Sequence, residues 1–353
     1  MKKLITILAI IPMLILALCP PMDMALDCRI DSTFWLWMTL ISGFLAFLFL
    51  YQDVSNWLKL FVIWTYIMCF FSKAPFMSFT MFWSVIVCAY YYALCRKIVH
   101  WSYVKKTIQA IFFFFALLII IQLFGKDTLL NFNQNTPTVI GTIGNRMIAS
   151  SFVCILAPFL IFNPLNWLVL ILISFISWSS GAVLSIGAGL SVYAWARFKK
   201  VRLWIVIIAI LAPIVFAYKT GDFSKATIRA GRLPVYQKTL ELAIQKPLGY
   251  GIGTYKILFP VMCGREINKQ SPGKMWNTTH NDWLQILFEC GFPGLILLLG
   301  WLVSIVRNVK NPVKLAGLAI VAVNMAVHFP THMIQSAFLI IMFLAYCSQG
   351  EQE

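Results

Sequence analysis

The chain has 353 residues, 61% hydrophobic and 11% charged, with a mean hydropathy of +0.84 and a formal net charge of +16. Soluble globular domains carry about a quarter charged residues, so this composition excludes an ordinary water-soluble fold. Apolar runs of this kind satisfy their own backbone groups in lipid as helices, and the expected fold class is an all-α integral membrane protein.

Apolar runs near the ~20-residue spanning length recur along the whole chain. We read twelve, at about 4–20, 33–51, 58–72, 76–94, 107–124, 147–163, 166–179, 181–196, 203–217, 283–305, 314–328 and 332–347. The first opens Met1-Lys2-Lys3, as a signal peptide would. It lacks a small-x-small exit, and Leu18 before Cys19 spoils a lipoprotein-type site, so an uncleaved helix is expected. The segment 125–145, GKDTLLNFNQNTPTVIGTIGN, is polar and rich in Asn and Thr. Gly181, Ser185 and Gly189 stand four apart, a small-residue stripe that lets helices approach closely and reads as packing. No internal repeat, low-complexity linker or separable soluble domain is visible, so residues 1–353 read as a single polytopic domain.

Charge orients the spans. With the N-terminus in the cytoplasm, cytoplasmic segments hold fourteen Lys and Arg, among them Lys2, Lys3, Arg96, Lys97, Lys105, Lys106, Lys199, Lys200 and Arg202. The short opposite loops hold four, Arg29, Lys73, Lys126 and Arg146, a positive-inside bias that makes both termini cytoplasmic. Residues 218–281 form one long external loop with seven Lys and three Arg against Asp222, Glu241 and Glu266. Long loops are exempt from the orientation rule, and this one asks for an anionic partner such as a phosphate-bearing lipid, or rests as a solvated basic surface on anionic headgroups. Of nine cysteines most lie inside runs, where a thiol is a small apolar residue. Cys28 and Cys263 fall in loops on the same side, and the sequence does not decide whether they pair.

Within the long loop, Leu233, Tyr236, Leu240, Ala243 and Ile244 share one helical face while Gln237, Lys238, Glu241 and Gln245 fall elsewhere. This predicts an amphipathic helix along the outer interface, ended by Pro247 and the glycines Gly249, Gly251 and Gly253. The G-x-G-x-G spacing looks superficially like a phosphate loop, but without a preceding strand a plain turn is the better reading.

The stretch 277–294, NTTHNDWLQILFECGFPG, carries the densest chemistry. A helix is expected to start near the His280–Asn281 pair, capped by Asn277, Thr278 or Thr279. Asn281, Gln285 and Glu289 recur every four residues as a polar stripe descending into the bundle. A carboxylate there must face protein or a water-filled cavity. His280, at the mouth, suits general-base work because its unperturbed pKa lies near neutrality, though interfacial histidines more often make caps and loop contacts. His328 and His332 also lie on the outer side. Pro330 between them argues against a shared helical face, and a zinc site is not expected.

These residues carry a resemblance. HNDWLQILFECGFPG resembles the His-Asn…Leu-Gln…Glu-x-Gly-x-x-Gly signature of the O-antigen ligase/polymerase superfamily. GRLPVYQKTLELAIQKPLGYGIGTYK is similar to the Gly-Arg…Pro-Leu-x-Gly-x-Gly element that precedes it there, and GTIGNRMIASSFVCILAPF to an earlier Gly-x-x-Gly-Asn motif. The motifs come in the family's order and cover roughly a third of the chain. The resemblance implies a glycosyltransferase of the bacterial cytoplasmic membrane, with its site on the periplasmic side. Its donor would be a glycan on undecaprenyl diphosphate and its acceptor a hydroxyl of lipid A–core, or of another glycan chain in a polymerase. Membrane lipids would surround it, and it would need no nucleic acid, nucleotide sugar, cofactor or metal.

Carried over by position, Arg232 would clamp the diphosphate with its planar fork, and His280 would take the acceptor's proton. Asn281 and Tyr236 would line the substrate site, and Gln285 and Glu289 would support it from behind. The chain departs from the pattern where ligases often show a Ser-Arg pair and this sequence reads Trp178-Ser179-Ser180-Gly181. A second phosphate-binding cation would then come from Arg146, Arg229 or Arg265. A secondary transporter or lipid-glycan flippase would share the span count. It would also be expected to show midplane charges and two related halves, which are not visible here.

Overall fold

The computed structural model describes residues 32–98, 100–123, 146–160, 180–198, 232–270 and 276–349. The described residues are all-α. In chain order the helices are α1 (Ser32–Phe49), α2 (Asn56–Phe70), α3 (Pro75–Cys95), α4 (Trp101–Leu123), α5 (Arg146–Leu160), α6 (Ser180–Arg197), α7 (Arg232–Gln245), α8 (Tyr255–Gln270), α9 (Asp282–Val306), α10 (Pro312–Val327) and α11 (Ile334–Ser348). Nine of the twelve apolar runs fold as helices within these residues. The runs at about 4–20, 166–179 and 203–217 lie outside them, as do Cys28 and the whole polar segment 125–145. Two helices, Pro75–Cys95 and Asp282–Val306, are long and apolar enough to cross a bilayer. Asn56–Phe70, Pro312–Val327 and Ile334–Ser348 are among the shorter apolar helices.

The chain divides into two compact units interleaved along the sequence. The first holds α4, α5, α6, α10 and α11. Here the small-residue stripe of α6 does what its spacing predicts. A Cβ on Gly189 would meet the Ile320 side chain at 2.4 Å, and one on Gly181 would meet the His328 ring at 2.3 Å, so α6 and α10 touch almost backbone to backbone. Between these contacts a buried polar cluster joins three helices. Ser151 donates to Asn324 Oδ1 at 2.5 Å, Asn324 Nδ2 donates to Ser185 Oγ at 3.4 Å, and Ser185 donates to the Gly181 carbonyl at 2.8 Å. The side-chain amide of Gln349 donates to the carbonyls of Cys95 and Ile98 and fastens the chain between α3 and α4 to the end of α11.

The second unit holds α1, α2, most of α3, and α7, α8 and α9. α9 is bent at Gly291, whose φ of +68° lies in the region that favours glycine. Its half after the bend lies along α2. Trp64 Nε1 donates to the Cys290 carbonyl at 2.7 Å, the Ser55 and Ser304 hydroxyls meet at 3.4 Å, and Gly300 leaves room for the Trp57 ring. The half before the bend belongs to a different layer, built with α7 and α8 around the buried cluster Val235, Leu242, Tyr250, Tyr255, Phe259, Trp276 and Phe288. Tyr250 stacks on Phe288 at 4.5 Å, and Tyr255 meets the same ring edge-on at 5.0 Å.

α7 forms as its periodicity predicts, and its buried face is only partly the apolar stripe seen in the sequence. Val235, Thr239, Leu242 and Ala243 are buried, whereas Leu233, Leu240 and Ile244 are exposed. The inner positions are small or branched and allow close approach to α9. The large aliphatic stripe faces away from the protein, as on a helix lying at a membrane surface.

Candidate functional site

The site is assembled where the start of α7, the 249–255 turn and the start of α9 meet. Asn281 caps α9: its backbone is extended, with φ −155°, and its side-chain oxygen accepts from Leu284 N at 3.1 Å. The cap is thus one of the pair itself and not Asn277, Thr278 or Thr279. Thr279 has another task. Its hydroxyl donates to the Asn281 carbonyl at 2.5 Å and accepts from Asn281 N at 3.0 Å. These bonds clasp the chain on both sides of His280, whose φ of +55° is unusual for a residue with a Cβ. Such conformations cost about 1–3 kcal/mol and persist only where the surroundings over-determine them. The ring of His280 is half-buried and packs edge-on against Trp276 at 5.6 Å.

The stripe Asn281, Gln285, Glu289 forms, and its lower members are buried. Its purpose differs from a cavity lining in the bundle. Glu289 Oε2 accepts from Gly253 N at 2.8 Å, and Oε1 accepts from Tyr255 N at 3.2 Å and from Gln285 Nε2 at 3.2 Å. The carboxylate therefore caps the start of α8 from another helix, satisfying amides that have no partner within α8. Gln285 Oε1 accepts in turn from Thr279 N at 3.2 Å. One line of hydrogen bonds runs from the G-x-G-x-G turn through Glu289 and Gln285 to the residue before His280. Tyr250 N donates to the Phe288 carbonyl at 3.0 Å and Lys73 N donates to the Tyr250 carbonyl at 3.2 Å, which ties the turn both to α9 and to the α2–α3 connection.

The same bonds decide the glycine turn. Gly249 N donates to the Lys246 carbonyl, Gly251 N to the Glu289 carbonyl and Gly253 N to the Glu289 carboxylate, so these amides already have acceptors and are not offered to a phosphate. The glycines serve close approach. A Cβ on Gly249 would lie 2.5 Å from the Glu289 carbonyl oxygen, and one on Gly291 would lie 2.3 Å from that of Pro247.

Arg232 is the first residue of α7, and Tyr236 stands one turn on. The charge of Arg232 is close enough to act on the Tyr236 side chain. Tyr236 Oη donates to the His280 carbonyl at 3.1 Å. Burial pushes the Tyr236 phenol up from its ordinary pKa, opposed by the charge of Arg232, so it stays protonated and able to donate. Tyr255 is pushed up further by burial and meets the Thr239 hydroxyl at 3.0 Å, tying α8 to α7 behind the site. The structure thus brings Arg232, Tyr236 and His280 together across 44 residues of sequence between Tyr236 and His280.

Of the residues considered for a second cation, Arg265 is exposed on α8, Arg229 lies outside the described residues, and Arg146 is the first residue of α5. Lys238 pairs with Glu241 at 2.9 Å and Glu266 at 3.2 Å, so it engages both of the loop's carboxylates among the described residues. His328 is buried at the end of α10, and His332 closes the short 3-10 turn Pro330–His332. Among the described residues no group of three or more His, Cys, Asp or Glu is placed to hold a metal ion. Cys263 is a buried free thiol facing the α7–α8 core. Sequence reasoning missed Thr279 as the clasp around His280 and Tyr255 as the brace. The Thr before a His-Asn helix start was the available signal for the first, and nothing marked the second.

The described residues are those of an all-helical protein with two helices long and apolar enough to cross a membrane, and with Arg232, Tyr236 and His280 gathered beside one of them. Residues 165–299 match the family model described as O-antigen ligase, a stretch that includes Arg232, Tyr236, His280 and Glu289. No curated protein matches the chain.

Proposed function

We propose that the protein is a polytopic membrane glycosyltransferase of about twelve spans, with both termini in the cytoplasm and its site on the periplasmic side. It moves a glycan from undecaprenyl diphosphate to a hydroxyl of lipid A–core. The observation that carries this reading is the Arg232–Tyr236–His280 linkage, which lies within the stretch matching the O-antigen ligase family.

Arg232 presents a planar fork to the donor diphosphate and offsets the charge that grows on it as the glycosidic bond breaks. The acceptor oxygen attacks the anomeric carbon, the carbon–oxygen bond to the diphosphate breaks, and His280 takes the hydroxyl proton. Undecaprenyl diphosphate leaves, and direct displacement inverts the anomeric centre. Tyr236 joins the two groups and sets their separation. Glu289 and Gln285 hold the loop that carries His280.

A polymerase that uses a second lipid-linked chain as acceptor would employ the same residues. The test is a reconstituted reaction with purified lipid-linked glycan, offering lipid A–core and glycan acceptors in parallel. Product on lipid A–core supports the ligase, chain growth supports the polymerase, and no product with either contradicts glycan transfer.

A further inference from the structure

The turn that leaves α7 brings together two lysines from distant parts of the chain. Lys246 Nζ lies 4.9 Å from the centroid of the Tyr250 ring, and Lys73 N is bonded to the Tyr250 carbonyl at 3.2 Å. Among the described residues neither lysine makes an ion pair with a carboxylate, and Glu241 and Glu266 are both engaged by Lys238. Burial, and then the charge of Lys73, lower the Lys246 ammonium from its usual pKa. Around them the surface is apolar. Phe71 is 70% exposed, Leu248 57% and Ile244 58%, and Phe292 is tied to the same turn through its N–H to the Pro247 carbonyl at 2.9 Å. Lys73 stands in the connection between the apolar helices α2 and α3, and Lys246 directly follows the last residue of α7.

Two adjacent cations above a collar of exposed aromatic and aliphatic side chains match the chemistry of one amphiphile: a phosphate above acyl chains. We propose that Lys73 and Lys246 bind the phosphate of an anionic bilayer phospholipid, with Phe71, Leu248 and Ile244 seated among its acyl chains. Arg232 stands at the opposite end of α7, about 20 Å away by the helix rise, too far for one diphosphate to bridge. The site is therefore distinct from the one proposed for the glycan donor and does not rest on that reading. Its consequence is to pin the α7 turn, and through Gly249–Gly253 the Glu289 line, to the membrane surface.

The test is native mass spectrometry of the purified full chain titrated with phosphatidylglycerol or phosphatidylcholine. Wild type is expected to retain phosphatidylglycerol in preference. Lys73→Gln and Lys246→Gln should each weaken its binding about fivefold and together about 30-fold. Lys269→Gln, at an exposed position on α8, should change nothing. The double Lys→Arg variant keeps both charges and should bind as wild type. His280→Ala should also bind as wild type, so loss of glycan transfer and loss of this site are separable. Equal binding by wild type and the double Gln variant overturns the proposal, as does loss of binding in the double Arg variant. Displacement of phosphatidylglycerol by inorganic phosphate alone would show a simple anion site, and displacement by undecaprenyl diphosphate would give the site to the donor. Either result overturns it.

Discussion

The two units each bury a polar network among apolar helices, and the networks are built to opposite ends. The Ser151–Asn324–Ser185 cluster is neutral, joins side chains of α5, α6 and α10, and closes on a carbonyl of α6 itself. Both of its side-chain-to-side-chain bonds run between helices already in contact, so it acts as glue. The Glu289–Gln285 line contains a carboxylate and ends on backbone amides of a turn and a loop. It fixes segments that have no regular structure of their own, and one of them carries a histidine at positive φ. Polar residues in an apolar chain are thus not uniformly functional. What separates the two networks is whether the far end is another helix or a loop bearing reactive groups.

Predictions follow that difference, largest effect first. His280→Ala should lower the proposed transfer by about 10²–10⁴-fold, the usual range for losing a general base, with little change in melting temperature. Glu289→Ala leaves the Gly253 and Tyr255 amides without their acceptor, at about 1–3 kcal/mol each. Proteolysis should then begin within 246–256, and transfer should fall with it. Intact resistance to protease would break the claim that the carboxylate holds the turn. Gly249→Ala forces a Cβ into the Glu289 carbonyl, and its effect on protease resistance should resemble that of Glu289→Ala. Tyr236→Phe removes one hydrogen bond of about 1 kcal/mol, and a transfer rate lowered about fivefold with unchanged stability is expected. Asn324→Ala should reduce stability by about 0.6–1.7 kcal/mol, read as a shifted melting temperature, and leave transfer intact.

Much of the fold was legible because hydropathy period and run length are local properties. α9 was read at about 283–305 and found at Asp282–Val306. Its polar stripe was legible from the spacing of Asn281, Gln285 and Glu289. The partners of Glu289 were not, since they are amides of Gly253 and Tyr255, more than thirty residues upstream, and an amide leaves no mark in a sequence. The inner face of α7 was not legible for a related reason. Periodicity shows an apolar stripe but not whether protein or lipid covers it, and here Leu240 and Ile244 face outward. The pairing of Arg232 with His280 came from resemblance, and its physical link through Tyr236 came only with the structure.

The most direct test sets one residue of each network side by side. Purified wild type, His280→Ala and Asn324→Ala are placed in proteoliposomes at equal protein. Transfer from lipid-linked glycan to lipid A–core is then measured alongside the melting temperature. The account predicts that His280→Ala loses transfer by at least about a hundredfold and keeps its melting temperature, while Asn324→Ala melts earlier and transfers normally. Wild-type transfer by His280→Ala would contradict it.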